Sequence, residues 1–458
     1  MLFWTSIASS LLLTQGRLVR DLLSKEDQIK QRQDTFCSEP IQKEKVVFPD
    51  SIAGRAPINF DSYSGYVNVT SQDWLFYWFF ETADKNPNAP LIIWTNGGPG
   101  CSSMEGATTE NGPLVLFDIK EACSSGDCDY TEQFSLNPYS WNAHANLLYL
   151  DQPRYVGYSF GYGPKVKSSV EAANDFVTFY QGWLDLFPEF KGRELIISGE
   201  SYGGHYIPAW ANAILDFNEN SAEKINFAGA IIGNGCTNNT VQNEKEYIKF
   251  LHEENLIPAD SNPRNQGAAE LAMIKHIGYT PNYYDYRAES ISCSACYGYN
   301  YTAWSHFFLH DEIEKSLNVC GEAGVDAFAD DAGGCISLPG FDSNDSFDYS
   351  GALGRTLNAG IPVTLYYGKT DTACNYVGGL ALANTIVWNS QEQFSSESLS
   401  PLEIAGVEAG QIKSVHGLTF MQVDSAGHMV PLDQPAASAV AVRTILNQVE
   451  LKNKYANN

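Results

Sequence analysis

The stretch Glu194–Pro208, Glu-Leu-Ile-Ile-Ser-Gly-Glu-Ser-Tyr-Gly-Gly-His-Tyr-Ile-Pro, constrains this chain more than any other. It opens on a short apolar run, Leu195–Ile197, long enough for a buried strand. A glycine-framed turn follows, Gly199-Glu200-Ser201-Tyr202-Gly203, and a helix is expected after it. This is the G-x-S-x-G nucleophile elbow in the strand-before, helix-after setting the pattern requires. Glycines flank the serine because so sharp a turn brings its backbone against neighbouring chain, where side chains clash. The turn lifts the Ser201 hydroxyl clear of the sheet. It also leaves the N–H groups that follow free to hold an anion.

Other apolar runs supply the sheet that such an elbow needs. Leu91–Trp94, Asn146–Leu150 and Ala228–Gly233 read as strands buried on both faces, the habit of parallel sheets. A helix is signalled between them by Ser168 and Glu171, a capping box. Its apolar stripe, Val170, Ala173, Phe176, Val177, Tyr180 and Leu184, follows a 3.6-residue period. Strand, helix, strand, helix predicts an α/β fold with a mostly parallel, doubly wound sheet. Aromatic-rich segments at Ser64–Val69 and Trp74–Phe80 read as earlier strands. From 234 to 358 the pattern breaks down into cysteines, tyrosines and asparagines. This reads as a disulfide-containing insertion, a lid over the site and the place for specificity. Sheet character returns at Pro362–Gly368 and Leu418–Val423, and Ala436–Val449 suits a closing helix. The expected division is a core in two parts, 46–233 and 359–458, around that insertion. Residues 1–16 read as a signal peptide and 17–45 as a propeptide or an N-terminal arm.

Net charge is −26, with 28 Lys and Arg against 54 Asp and Glu. Such a surface repels nucleic acid and anionic membranes, so neither is an expected partner. The ten cysteines cluster locally, as in Cys123/Cys128 and Cys293/Cys296, with no histidine at zinc-finger spacing beside them. Disulfides in an oxidising compartment are expected, and no metal. Sequons at Asn68, Asn238, Asn300 and Asn344 agree with that setting. The opening Met1–Leu13 has the look of a signal peptide ending near Gly16, too short to span a bilayer. No apolar tail follows at the other end, so no membrane anchor is expected. The expected address is secreted or vacuolar, through the secretory pathway.

A nucleophilic serine on this kind of sheet needs an acid and then a histidine, in that chain order, each past the end of a strand. Asp371 follows Tyr366-Tyr-Gly-Lys-Thr, and His428 follows Val423-Asp-Ser-Ala-Gly. His205 follows the elbow too closely to turn back on Ser201, and His416 lies ahead of the final strand. Asp424, also near the end of the chain, is the other candidate acid, and its place in the order, ahead of His428, argues against it. In this reading His428 takes the Ser201 proton, and Asp371 orients the imidazole and stabilises its charged form. The oxyanion then requires N–H donors. Tyr202 supplies one, and the loop Asn96-Gly97-Gly98-Pro99-Gly100 is placed to supply another.

Trp94-Thr-Asn-Gly-Gly-Pro-Gly-Cys-Ser-Ser103, Asp151-Gln-Pro153, Gly199–Pro208 and Gly427-His-Met-Val-Pro431 resemble the signature blocks of the serine carboxypeptidases, over about residues 45–450. The resemblance implies an α/β-hydrolase fold and cleavage of the last peptide bond of substrates with a free C-terminus, without metal or organic cofactor. It makes Gly98 and Tyr202 the oxyanion donors. Asn96, Gly97, Glu110 and Glu200 match the positions that hold the substrate's C-terminal carboxylate. Two adjacent glutamates do this by sharing a proton, which favours acidic pH. Cys374 matches a cysteine near the site that is unpaired in some members, and a free Cys374 leaves Cys37 as the other odd thiol. Cys101 matches a cysteine bridged to the insertion, here to Cys335. Glu105, Cys374 and Met429 are the expected specificity positions. Glu105 there favours C-terminal Lys or Arg, unless it is simply a solvated surface residue. Two positions depart from the family pattern, Met104-Glu105 and Arg154-Tyr155. The rivals are an acyltransferase on the same scaffold and a binding protein with a vestigial triad. A monomer or a homodimer is expected.

Overall fold

The computed structural model describes residues 40–49, 58, 60–116, 135–290, 299, 301–321, 323–328 and 334–456. The expected signal peptide, residues 17–39 of the arm, Cys37, Cys123, Cys128, Cys293, Cys296 and Asn300 lie outside them.

One sheet organises the molecule. Its strands are β1 (Glu44–Lys45), β2 (Ser62–Asn68), β3 (Asp73–Phe80), β4 (Leu91–Thr95), β5 (Asn146–Leu150), β6 (Phe160–Gly161), β7 (Leu195–Glu200), β8 (Phe227–Gly233), β9 (Val363–Gly368), β10 (Ser400–Ile404), β11 (Val407–Val415) and β12 (Leu418–Val423). They lie in the order β1-β2-β3-β5-β4-β7-β8-β9-β12-β11-β10, with β6 paired to β3. The middle six, β5-β4-β7-β8-β9-β12, run parallel, and antiparallel strands flank them on both sides. The predicted doubly wound α/β sheet is therefore what the chain forms. Because these six strands point the same way, their C-terminal ends empty into one edge, where a ligand crevice belongs in an open α/β sheet.

Side-chain alternation sorts each strand onto two cores. Leu75, Tyr77 and Phe79 of β3 join Leu91 and Ile93 of β4 and Leu195 and Ile197 of β7 on one face. Phe76, Trp78, Phe80, Ile92, Trp94 and Ile196 go to the other. The first face is covered by α1 (Ser169–Leu186) and α2 (Gly203–Asn220), joined by Phe176 stacked on Trp210 at 3.8 Å between ring centres. The second is covered by α3 (Pro435–Ala456), through Ala441, Val442, Ile445 and Val449. The closing helix thus forms where expected and runs further.

Three local expectations change. Ser168 caps α1 by accepting from Glu171 N at 3.2 Å, but Val170 is 56% exposed. The buried stripe runs instead through Ala172, Ala173, Phe176, Phe179, Tyr180 and Trp183. The β10–β11 hairpin extends the sheet edge where no strand was read. It turns on Ala405 and Gly406, both at positive φ, and is mostly exposed, so it carries little apolar signal. Asn238 is 7% exposed, and its side chain caps a helical turn by accepting from Val241 N, so it does not offer an open sequon; Asn68 and Asn344 are exposed.

Arg154-Tyr155, unusual for the resemblance, has a structural explanation. The Arg154 guanidinium forks onto Asp175 at 2.6 and 2.7 Å and reaches Asp73 at 3.2 Å. Tyr155 OH donates to the same Asp73 at 3.1 Å. Removing the cation leaves two buried carboxylates facing each other. Arg154→Leu is therefore expected to lower stability by about 3 kcal/mol, read as a fall in thermal midpoint, with peptide KM unchanged.

Candidate active site

Ser201 follows β7 directly and sits at φ +60°, the left-handed region that a side chain adopts only under constraint. Three backbone hydrogen bonds hold it there. Ser201 N donates to Gly233 O at 3.0 Å, and Ser201 O accepts from Gly204 N at 2.9 Å and Cys236 N at 3.1 Å. The loop after β4 packs onto the elbow so tightly that a Cβ on Gly97 would stand 2.4 Å from Tyr202 N and 2.8 Å from Ser201 Cβ. Only glycine fits that approach. Among the described residues the N–H groups of Gly97, Gly98 and Tyr202 make no hydrogen bond, which leaves three donors beside the serine.

Asp371, past β9, and His428, past β12, meet in the interior. His428 Nδ1 lies 2.7 Å from Asp371 Oδ2. The fully buried carboxylate has further donors: Asn234 Nδ2 at 2.8 Å and Cys374 N at 3.1 Å on Oδ2, and Ala373 N at 2.8 Å on Oδ1. His428 Nε2 makes no hydrogen bond, and His428 and Ser201 line the same cleft of about 390 Å³. The segment between β8 and β9 covers the histidine. Tyr284 stacks on the imidazole at 4.4 Å between ring centres, and its carbonyl accepts from His428 N at 2.8 Å. The alternatives fall elsewhere: Asp424 pairs with Lys369 at 3.0 Å, and His205 stacks on the Tyr202 ring.

Asn96, Glu105 and Glu200 line the cleft, and Glu110 is buried behind them against Asn96 and Glu200. Glu110 ends a single π-helical turn, Gly106–Glu110, whose start is tied to Asn96 Oδ1 through Gly106 N at 3.1 Å. Asn96 Nδ2 donates to Glu110 Oε1 at 3.2 Å. Glu110 and Glu200 are buried side by side, and Oε2 of each makes no hydrogen bond. Burial first, and then the Glu110 charge and hydrogen bond, push Glu200 well above the usual carboxylate range. Burial raises Glu110 too, against hydrogen bonds from Glu200 and Asn96. One proton between the two carboxyls satisfies both bare oxygens.

Glu105 lines the cleft rather than the outer surface. Burial and the neighbouring Glu110 push it up to about 8, while the hydrogen bond from Tyr301 OH pulls the other way. Met429 lines the cleft as expected, with Tyr301 OH 4.0 Å from its Sδ. The Cys101–Cys335 disulfide is present and forms part of the wall. Cys374 is corrected. It is bonded to Cys236 and is not among the cleft-lining residues, so it is neither a free thiol nor a specificity residue. With that pairing the argument for a second odd cysteine at Cys37 falls away.

The serine carboxypeptidase family model matches residues 53–271 and 279–448. The chain belongs to the serine carboxypeptidase family. It is 34% identical over 410 residues to carboxypeptidase Y homolog A of Fusarium vanettenii, covering 82% of this chain and 72% of that one. The Podospora anserina protein of the same name is 33% identical over 406 residues, covering 82% and 70%. Among solved structures, Kex1(Δ)p, a prohormone-processing carboxypeptidase from Saccharomyces cerevisiae, superposes with a TM-score of 0.70 at 25% identity, over 88% of this chain and 95% of that one. This carboxypeptidase is a serine-type hydrolase acting on C-termini.

Three residues at the site had gone unread in the sequence: Asn234, Tyr284 and Tyr301. Asn234 had a signal, because it directly follows the strand-ending Gly233 on the same sheet edge. Its amide donates to Asp371 and its Oδ1 accepts from Gly368 N at 3.1 Å, joining β8 to β9 at the acid. Asn234→Ala is expected to lower kcat roughly tenfold, leaving peptide KM within a factor of two, because a supporting donor is lost and no substrate contact. Steady-state kinetics on one peptide checks this.

Proposed function

We propose that this carboxypeptidase cleaves the terminal peptide bond by attack of Ser201, with His428 as base and then acid and Asp371 orienting it. His428 takes the Ser201 proton as Oγ attacks the carbonyl, and returns it to the leaving amine. The N–H groups of Gly98 and Tyr202 stabilise the oxyanion. Water then repeats the sequence on the acyl-enzyme. Entry into the secretory pathway, ending outside the cell or in a vacuole, goes with this reading and with the disulfides.

The observation that carries the exopeptidase reading is the buried Glu110–Glu200 pair beside Asn96 and Gly97. Among the described residues that line the cleft there is no Lys or Arg to hold a C-terminal carboxylate. Asn96 and the Gly97 N–H donate to that carboxylate, and a protonated glutamate donates a third hydrogen bond. The sign follows from the raised Glu200. At acidic pH the pair keeps its proton and binds substrate; as pH rises and the proton leaves, two anions face the substrate's own. Peptide KM is expected to climb with pH, while the C-terminal amide of the same peptide shows a flatter profile. In Glu200→Gln, which donates at every pH, peptide KM is expected to rise less steeply. Parallel peptide and amide profiles in the wild type would remove the basis for this reading.

Glu105 is the proposed selector of basic C-terminal residues. In the free enzyme it holds its proton up to about pH 8, so at acidic pH it meets a Lys or Arg as a neutral acceptor. As pH approaches 8 it ionises more readily, and a bound cation draws the proton off sooner. The ratio of kcat/KM for a Lys-ended peptide to that for a Leu-ended one is expected to rise between pH 5 and pH 8, about tenfold if one charge-assisted contact is gained. Glu105→Gln is expected to hold the ratio level. A wild-type ratio that stays flat with pH removes Glu105 from this role.

A further inference from the structure

The Cys236–Cys374 disulfide joins the two loops that carry the nucleophile and the acid. The cysteines are 138 residues apart in sequence, with Cα atoms 5.7 Å apart. Each is hydrogen-bonded through its backbone to a different member of the triad. Cys236 N donates to Ser201 O at 3.1 Å, and Cys374 N donates to Asp371 Oδ2 at 3.1 Å. The backbone of Cys236 also presses on α2 one turn past the elbow, where a Cβ on Gly204 would stand 2.5 Å from Cys236 O. The covalent bond therefore fixes the spacing between the segment that aims Ser201 and the segment that holds Asp371 against His428.

We propose that Cys236 and Cys374 are positioning residues for catalysis and that a dithiol reductant turns the enzyme down by opening their bond. The proposal rests on the triad reading given above. Cys236 is partly exposed whereas Cys374 is 5% exposed, so attack falls on Cys236 Sγ. A thiolate of the dithiol forms a mixed disulfide there, and Cys374 leaves as a thiolate that takes up a proton. The second thiol of the reductant then attacks its own sulfur in the mixed disulfide, and Cys236 leaves and is protonated. Two electrons and two protons pass to the protein, and the dithiol becomes a cyclic disulfide.

Opening this bond leaves the surrounding fold held by other contacts. Thr237 N and Asn238 N donate to Gln242 Oε1 at 2.6 and 2.9 Å, and Tyr367 OH donates to Gly235 O at 2.8 Å. Asn375 caps the next helix, Tyr376–Thr385, through Gly378 N at 2.9 Å. What is lost is the constraint on the 371–374 turn, whose N–H groups hold both Asp371 oxygens. The clamp touches no residue assigned to the substrate carboxylate, so the defect belongs in kcat. A displacement of the acid on the order of 1 Å is expected to cost roughly ten- to a hundredfold in kcat, with KM changed less than twofold.

Two measurements test this. Cys236→Ala/Cys374→Ala, which leaves Cys101–Cys335 in place, is expected to fold, to lose kcat by that factor at unchanged KM, and to be insensitive to dithiol doses that inactivate the wild type. In the wild type, dithiothreitol followed by iodoacetamide and peptide mapping is expected to show activity falling in step with alkylation at Cys236 and Cys374, and returning on reoxidation of unalkylated enzyme. Wild-type kcat in the double variant overturns the proposal, as does activity loss that follows alkylation at Cys101 and Cys335. The mapping arm decides the matter even if the double variant does not fold. Failure of the triad reading looks different: Ser201→Ala then retains turnover whatever the state of the disulfide.

Discussion

A serine in a left-handed conformation at the end of a strand is the constraint on which the site depends. The conformation costs about 1–2 kcal/mol for a residue with a side chain, so Ser201 stays there only because neighbouring chain allows nothing else. The loop after β4 closes over it without room for a Cβ at Gly97, and bonds from Gly233, Gly204 and Cys236 fix its carbonyl and its N–H. The parallel block makes this possible. Each of its strands delivers a loop to the same edge, so Gly97 and Gly98, Ser201, Asp371 and His428 arrive together from segments far apart in sequence.

The second feature is a cluster of carboxyls with neutral partners. Glu105, Glu110 and Glu200 gather beside the serine, and the nearby polar partners are neutral: Asn96 and Tyr301. Buried carboxyls in that company hold protons that surface carboxyls give up. A carboxyl that stays protonated is a hydrogen-bond donor, so a group usually counted as an acceptor of cations becomes a receptor for an anion. A lysine or arginine at that position would hold an anion over a far wider pH range.

Much of this was legible in the sequence because it follows from strong local rules. Buried parallel strands must be apolar throughout, which exposed Leu91–Trp94 and Ala228–Gly233. The elbow needs glycines at fixed offsets, and the order of serine, acid and histidine follows from sheet topology. What escaped has no local period. The β10–β11 hairpin is an exposed edge with few apolar positions. Val170 fits a helical stripe on paper, but α1 turns a neighbouring face to the sheet. The pairing of Cys374 is not legible in the chain, because connectivity is a property of three-dimensional proximity and its partner Cys236 stands in another loop. Tyr284 and Tyr301 are single aromatics in an insertion rich in them, and nothing nearby in the chain marks which ring meets His428 or Glu105.

The insertion is more than a cover. The short antiparallel pair Pro281–Asn282 and Asp285–Glu289 flanks Tyr284, whose ring and carbonyl grip His428, while Tyr283 O accepts from Thr372 beside the acid. The same segment supplies Tyr301, which meets Glu105, and Cys335, which closes the wall. The wall of the cleft and the grip on His428 thus belong to one physical part. A change made in this segment therefore reaches His428 as well, unless it spares the grip of Tyr284.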